Sequence, residues 1–137
     1  MQFQVQTRSK AKKNFISWLL PSIIRQVGLA NSKSAVLITL QSDFEDHGVA
    51  IPLPGLHMYL VVINSKSTLN ELALTLSHEM VHVAQMARGI MKPAPRGATL
   101  WAGRLYPKST PYMDRPWELA AFSRQEIIMR RALEESQ

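Results

Sequence analysis

The amino-acid sequence predicts an α+β domain spanning 1–137, with a small twisted sheet, an N-terminal helix, a central helix and a C-terminal helix. Three observations carry this. Short apolar or alternating runs at 2–7, 35–40 and 58–64 have the length and composition of strands. Longer stretches near 12–28, 68–88 and 116–134 repeat apolar residues at helical spacing. The chain has 137 residues, 46% of them hydrophobic and 19% charged, which is one domain's worth of sequence with enough apolar side chains for a packed core.

Residues 2–7 (QFQVQT) alternate and place Phe3 and Val5 on one side. Residues 12–28 carry Phe15, Trp18, Leu19, Ile23 and Val27 at helical spacing, and Pro21 either kinks this helix or starts a second one. Residues 35–40 (AVLITL) read as a buried strand. The segment 41–55 turns acidic and then rich in Pro and Gly, a loop with room for one short strand. Residues 58–64 (MYLVVIN) are another strand. Thr68-Leu69-Asn70-Glu71 has the form of a capping box, in which the threonine hydroxyl and the glutamate carboxylate each accept from an otherwise orphan amide. The helix it opens runs to Arg88, and Gly89 is placed to end it. Residues 90–113, with four prolines and two glycines, read as an irregular excursion with a short strand at Thr99–Trp101. The last helix starts at Pro116, where a missing amide costs nothing, and runs to about 134.

Composition excludes several chemistries. With no cysteine there is no disulfide framework, cysteine nucleophile, thiolate zinc site or iron–sulfur cluster. No apolar run is long enough for a spanning helix, so no membrane partner is expected. The N-terminal MQFQVQTRSKAKKNF is charged where a signal peptide needs its apolar stretch, and a cytoplasmic protein is expected. Lys and Arg number 16 against 10 acids, a net charge of +6. That balance permits nucleic-acid contact, but the basic residues are scattered without interleaved aromatics and read first as a solvated basic surface.

The chemistry-bearing segment is His78-Glu79-Met80-Val81-His82. Residues four apart share one helix face, so both imidazoles can address one ion. Zinc accepts such nitrogens at about 2.0–2.1 Å. Glu79, one position on, is placed as the general base beside the metal. The helix reads with Glu71, Thr75, His78, His82 and Gln85 as a polar stripe and Leu69, Leu72, Leu76, Met80 and Val83 on the packing side. A catalytic zinc site needs a third protein ligand. No histidine follows His82, which leaves the downstream acids Asp114, Glu118, Glu126, Glu134 and Glu135. With Glu118 at 0° on the last helix, Phe122, Gln125 and Met129 fall within about 40°. That puts Glu118 in the middle of the apolar, inward face. A carboxylate there needs a cation or strong donors, and Glu118 is the expected third ligand; otherwise it is a first-turn acid favoured by the helix dipole.

HEMVHVAQMARG, Trp101-Ala102-Gly103, Tyr112 and RPWELAAF together resemble small phage-type metallopeptidases of the zincin class, over about residues 58–123. The resemblance implies a zincin-like fold, with His78, His82 and Glu118 holding Zn2+ and Glu79 as base, the gluzincin arrangement in minimal form. The family often reads Pro-Trp-Glu-x-Glu; this chain has Ala120 at the second acid, a position about 160° from Glu118. Tyr112 is the candidate for stabilising the oxyanion, with Tyr106 as its rival. Trp101 and Trp117 read as core anchors before substrate platforms, and Asp46-His47 as a surface turn before a substrate contact or a pair supporting the metal ligands. In the fold that the chain resembles, the strand equivalent to 58–64 borders the cleft, so an extended peptide is expected on its free edge. The expected activity is zinc-dependent peptide-bond hydrolysis on a peptide or protein substrate. The same resemblance implies a phage-encoded protein, expressed in the host cytoplasm or associated with the virion. Two alternatives stand beside this: a zinc-stabilised binding or virion-associated protein without turnover, and a nucleic-acid-associated protease of the SprT-like kind.

Overall fold

The computed structural model describes residues 1–137. Its elements are β1 (Gln2–Gln6), α1 (Lys10–Gln26), β2 (Ala35–Gln41), β3 (Gly48–Leu53), β4 (Met58–Asn64), α2 (Leu69–Ala87), β5 (Met91–Pro93), β6 (Thr99–Trp101), β7 (Arg104–Tyr106) and α3 (Pro116–Glu135). Two short 3-10 turns, Pro95–Gly97 and Tyr112–Asp114, interrupt the connections. The protein is therefore mixed α and β, with three helices and two small sheets.

The larger sheet has the order β1-β2-β4-β3. β1, β2 and β4 are parallel, and β3 is antiparallel to β4. Register aligns Val5, Ile38, Val61 and Ala50 across the sheet, and Leu40, Ile63 and Gly48 beside them. Val5, Ile38, Val61 and Ile63 join side chains of α1, α2 and α3 in one buried apolar cluster. One face of the sheet thus carries the core, as strand alternation requires.

The topology corrects the expectation that residues 58–64 offer a free edge. β4 is paired on both sides, by β2 and by β3. The edge is β3, which lies in the segment read as a loop with room for one short strand. Its sequence, GVAIPL, is short and half-buried and holds glycine and proline, so it carries little strand signal. Pro52 pairs with Tyr59 and has no amide, so its bonding groups face outward. Alternation puts Gly48 and Ala50 in the same class, and the bond from the Asn64 amide to the His47 carbonyl confirms that phase. The main-chain groups of Gly48 and Ala50 face the open edge.

α1 begins at Lys10, because the Ser9 hydroxyl accepts from the Lys12 amide as N-cap. It runs unbroken through Pro21, which lies on the exposed side where the freed Ser17 carbonyl can bond to water. The capping box at Thr68 and Glu71 is present with both its bonds, at 3.2 and 2.9 Å. α2 is buried on nearly every side from Glu79 to Gln85, while Leu69, expected on the packing side, is exposed. Residues 91–106, expected as irregular with one strand, fold as a three-stranded antiparallel sheet, β5-β6-β7. Its aromatics meet the start of α3. Tyr106 stands edge-on to Trp117 at 5.4 Å between centroids, and Trp101 lies 6.4 Å from it. Trp117 is buried and Trp101 partly so, in line with their reading as anchors.

Candidate metal centre

Two helices bring the site together. α2 presents His78 and His82 from successive turns, with ring centroids 4.9 Å apart. His78, Glu79 and His82 each offer a donor atom, all within 4.8 Å of one another, and this group can hold a metal ion. α3 brings a fourth side chain from a distant segment. Glu118 Oε1 lies 3.0 Å from His78 Nε2 and 2.7 Å from His82 Nε2.

Two carboxylates therefore reach the imidazoles, at different distances. Ligands at about 2.0–2.1 Å in a tetrahedral shell stand about 3.3 Å from one another. Glu118 stands about 0.3 Å inside that spacing from His78 and about 0.6 Å inside it from His82. Glu79 Oε2 is 4.0 Å from His78 Nε2 and stands back. The remaining downstream acids are elsewhere: Asp114 and Glu126 are exposed, as is Glu134, and Glu135 binds Ser22 and Arg25.

Glu118 reaches the histidines from a position that differs from the expected one. The buried residues of α3 are Trp117, Ala121, Ile128 and Ala132. At 100° per residue their stripe is centred about 70° from Glu118. Glu118 lies at the stripe's edge, facing α2. Phe122, on its other flank and expected inside, is 63% exposed.

The outer nitrogens are also engaged. His78 Nδ1 is 2.8 Å from Gln125 Oε1, and His82 Nδ1 is 2.8 Å from Gln85 Oε1. An amide oxygen only accepts, so both Nδ1 atoms carry the proton and donate. Nε2 is then the nitrogen of each ring that faces Glu118, and it is the one that can bind a metal when a metal displaces its proton. This donor set, two imidazoles and a carboxylate without sulfur, fits zinc. Neither glutamine was singled out from sequence as a partner. Gln85 sat in the polar stripe, but its contact with His82 at i+3 was the only signal.

Proton energetics follow from the same contacts. Burial works against charge on Glu118, yet hydrogen bonds from His78 and His82 outweigh it and hold its carboxyl at about 2. Burial also opposes the imidazolium forms, and the Glu118 carboxylate overrides that and raises both histidines. Glu79 is 6% exposed, and burial is the main cause that pushes its carboxyl up, against the pull of the two histidines.

These residues face a cleft of about 570 Å³, a size that suits a ligand site. β3 lines it as well, through Gly48, Val49 and Ala50. Tyr112 lines it, whereas Tyr106 packs against Trp117. Asp46 and His47 form an exposed turn, as expected, and that turn is the rim of the cleft. Arg115 donates from Nε to the Thr110 carbonyl at 2.9 Å and ties down the loop that carries Tyr112. Comparison of the chain with protein-family models, curated proteins and solved structures finds no match. No helix is long and apolar enough to cross a membrane.

Proposed function

We infer that the protein is a zinc-dependent metallopeptidase, zincin-like and minimal in its ligand set. The observation that carries this is the approach of the Glu118 carboxylate to both Nε2 atoms, 3.0 and 2.7 Å, beside the buried Glu79. The resemblance of HEMVHVAQMARG and RPWELAAF to small phage-type metallopeptidases supports it. His78, His82 and Glu118 would hold the ion. When bound, zinc supplies Lewis acidity, polarising a carbonyl and making water a nucleophile near neutral pH.

The chain's own residues supply the rest. Glu79, with its carboxyl raised by burial, is suited to take up a proton and return it. It takes a proton as the water oxygen bonds to the carbonyl carbon, and returns it to the amine nitrogen as the C–N bond breaks. Tyr112, in the cleft with its hydroxyl kept protonated by burial and by Glu118, can donate to the developing oxyanion. The outward main-chain groups of Gly48 and Ala50 offer pairing for an extended peptide.

The test is incubation of zinc-loaded protein with a mixture of unfolded proteins, with and without chelator, beside Glu79→Gln. Cleavage should depend on zinc, and Glu79→Gln should retain zinc but lose turnover. A folded, zinc-loaded protein that cleaves nothing, or a fully active Glu79→Gln, overturns the reading.

A further inference from the structure

Gln85 is one turn beyond His82 on α2 and is 6% exposed. Both ends of its amide are used. Oε1 accepts from His82 Nδ1 at 2.8 Å, and Nε2 donates to the Trp117 carbonyl at 3.1 Å. The second bond settles which end of the amide is which, because a carbonyl can only accept. The first then places a proton of His82 on Nδ1 and turns Nε2 toward Glu118, the nitrogen left to a metal once its own proton is gone. Trp117 is the residue before Glu118, and it is itself held by Tyr106 and Trp101. One side chain thus grips a histidine on one helix and the backbone beside the carboxylate on the other. Gln125 is different, since it touches His78 from within α3 and is only partly buried.

We propose that Gln85 is the positioning residue that holds the ligands of α2 and α3 in one frame, fixing the His82 ring and the start of α3 together for metal capture. Its two bonds divide the work. The carbonyl orients the imidazole, and the amide N–H sets the distance between the two helices at Glu118. Partners of this kind, once removed, cost about 10–100-fold in metal affinity. The inference rests on the metallopeptidase reading for the identity of the ion, but its readout is binding, not turnover.

The experiment is zinc competition against a chromophoric chelator for wild type, Gln85→Met and Gln85→Glu, with zinc-free thermal melts alongside. Methionine matches the length and helix propensity of glutamine but forms neither bond. Glutamate keeps the acceptor for His82 and loses the donor to Trp117. Gln85→Met should remain folded and bind zinc about 10–100-fold more weakly, and Gln85→Glu should recover part of that loss. Zinc affinity within twofold of wild type in folded Gln85→Met overturns the proposal, as does Gln85→Glu falling as far as Gln85→Met. Should Gln85→Met fail to fold, long-range 1H–15N correlations on zinc-loaded wild type decide. A protonated Nδ1 on His82 is the expected result, and a metal-bound Nδ1 overturns it. Tight zinc binding without proteolysis would sink the peptidase reading alone, and no zinc binding by wild type would sink both.

Discussion

Gly48 and Glu79 are in close contact: a methyl group added at Gly48 would stand 3.2 Å from Glu79 Cγ. The edge strand can approach the helix that bears Glu79 only because this position lacks a side chain. The same methyl would lie 2.6 Å from Thr75 Cγ2 and 3.2 Å from the Val62 carbonyl, which is backbone and cannot turn aside. Gly48→Ala should therefore lower stability by about 1–3 kcal/mol, as overpacking does. Thermal unfolding checks this. Turnover should fall further than stability alone explains, because Glu79 is pushed from its place.

Zinc-free protein should show a window of added stability set by Glu118 and its two histidines. The Glu118 carboxyl is held at about 2 against 4.5, so its contribution is complete above about pH 4.5 and lost as pH falls toward 2. His78 and His82 are raised above 6.5, so theirs is complete below pH 6.5 and lost as pH climbs through the raised values. The two limbs share one interaction, present in full between about pH 4.5 and 6.5. In Glu118→Gln that window should disappear, with a loss of up to about 3 kcal/mol at pH 5.5 that closes toward pH 2 and as pH climbs through the raised histidine values. Melts in chelator across pH measure it, and a pH-independent difference would refute it.

Tyr112 and Tyr106 should separate cleanly. Tyr112→Phe removes a donor from the cleft and should cut kcat by about 10²-fold or more while zinc affinity holds. Tyr106→Phe keeps the ring against Trp117 and should leave kcat near wild type. Equal kinetics for the two variants would remove Tyr112 from the oxyanion role.

The β6–β7 hairpin carries removable strain. Ala102 and Gly103 both have positive φ, 50° and 82°. Glycine accepts that region freely, and alanine does not. Ala102→Gly should stabilise the protein by about 0.5–1 kcal/mol after the entropy cost of glycine. A lower melting temperature in that variant would count against it.

What could be read from sequence was local. The capping box at Thr68 and the spacing of His78 and His82 are properties of neighbouring residues, and both are present as expected. The approach of Glu118 to the histidines was also foreseen, although the wheel put it at the centre of the buried stripe. Sequence periodicity shows that a helix is amphipathic, but the partner decides where the stripe's centre lies, so Phe122 was placed inside and is outside. Strand pairing is non-local in the same way. Nothing in MYLVVIN tells whether it is interior or edge, and GVAIPL is too short and too broken by glycine and proline to announce an edge. The link from Gln85 to the Trp117 carbonyl joins residues 32 apart in sequence, beyond any local pattern.

Pro52 on the outer strand has a consequence for solubility. A bare sheet margin is a template on which other chains, including copies of the same one, can zip up indefinitely. Here the ladder of donors ends after Ala50, since Pro52 has no hydrogen to give. A second copy laid along this margin would gain no main-chain bond by continuing to Pro52. The proline therefore limits how far self-pairing could run along β3.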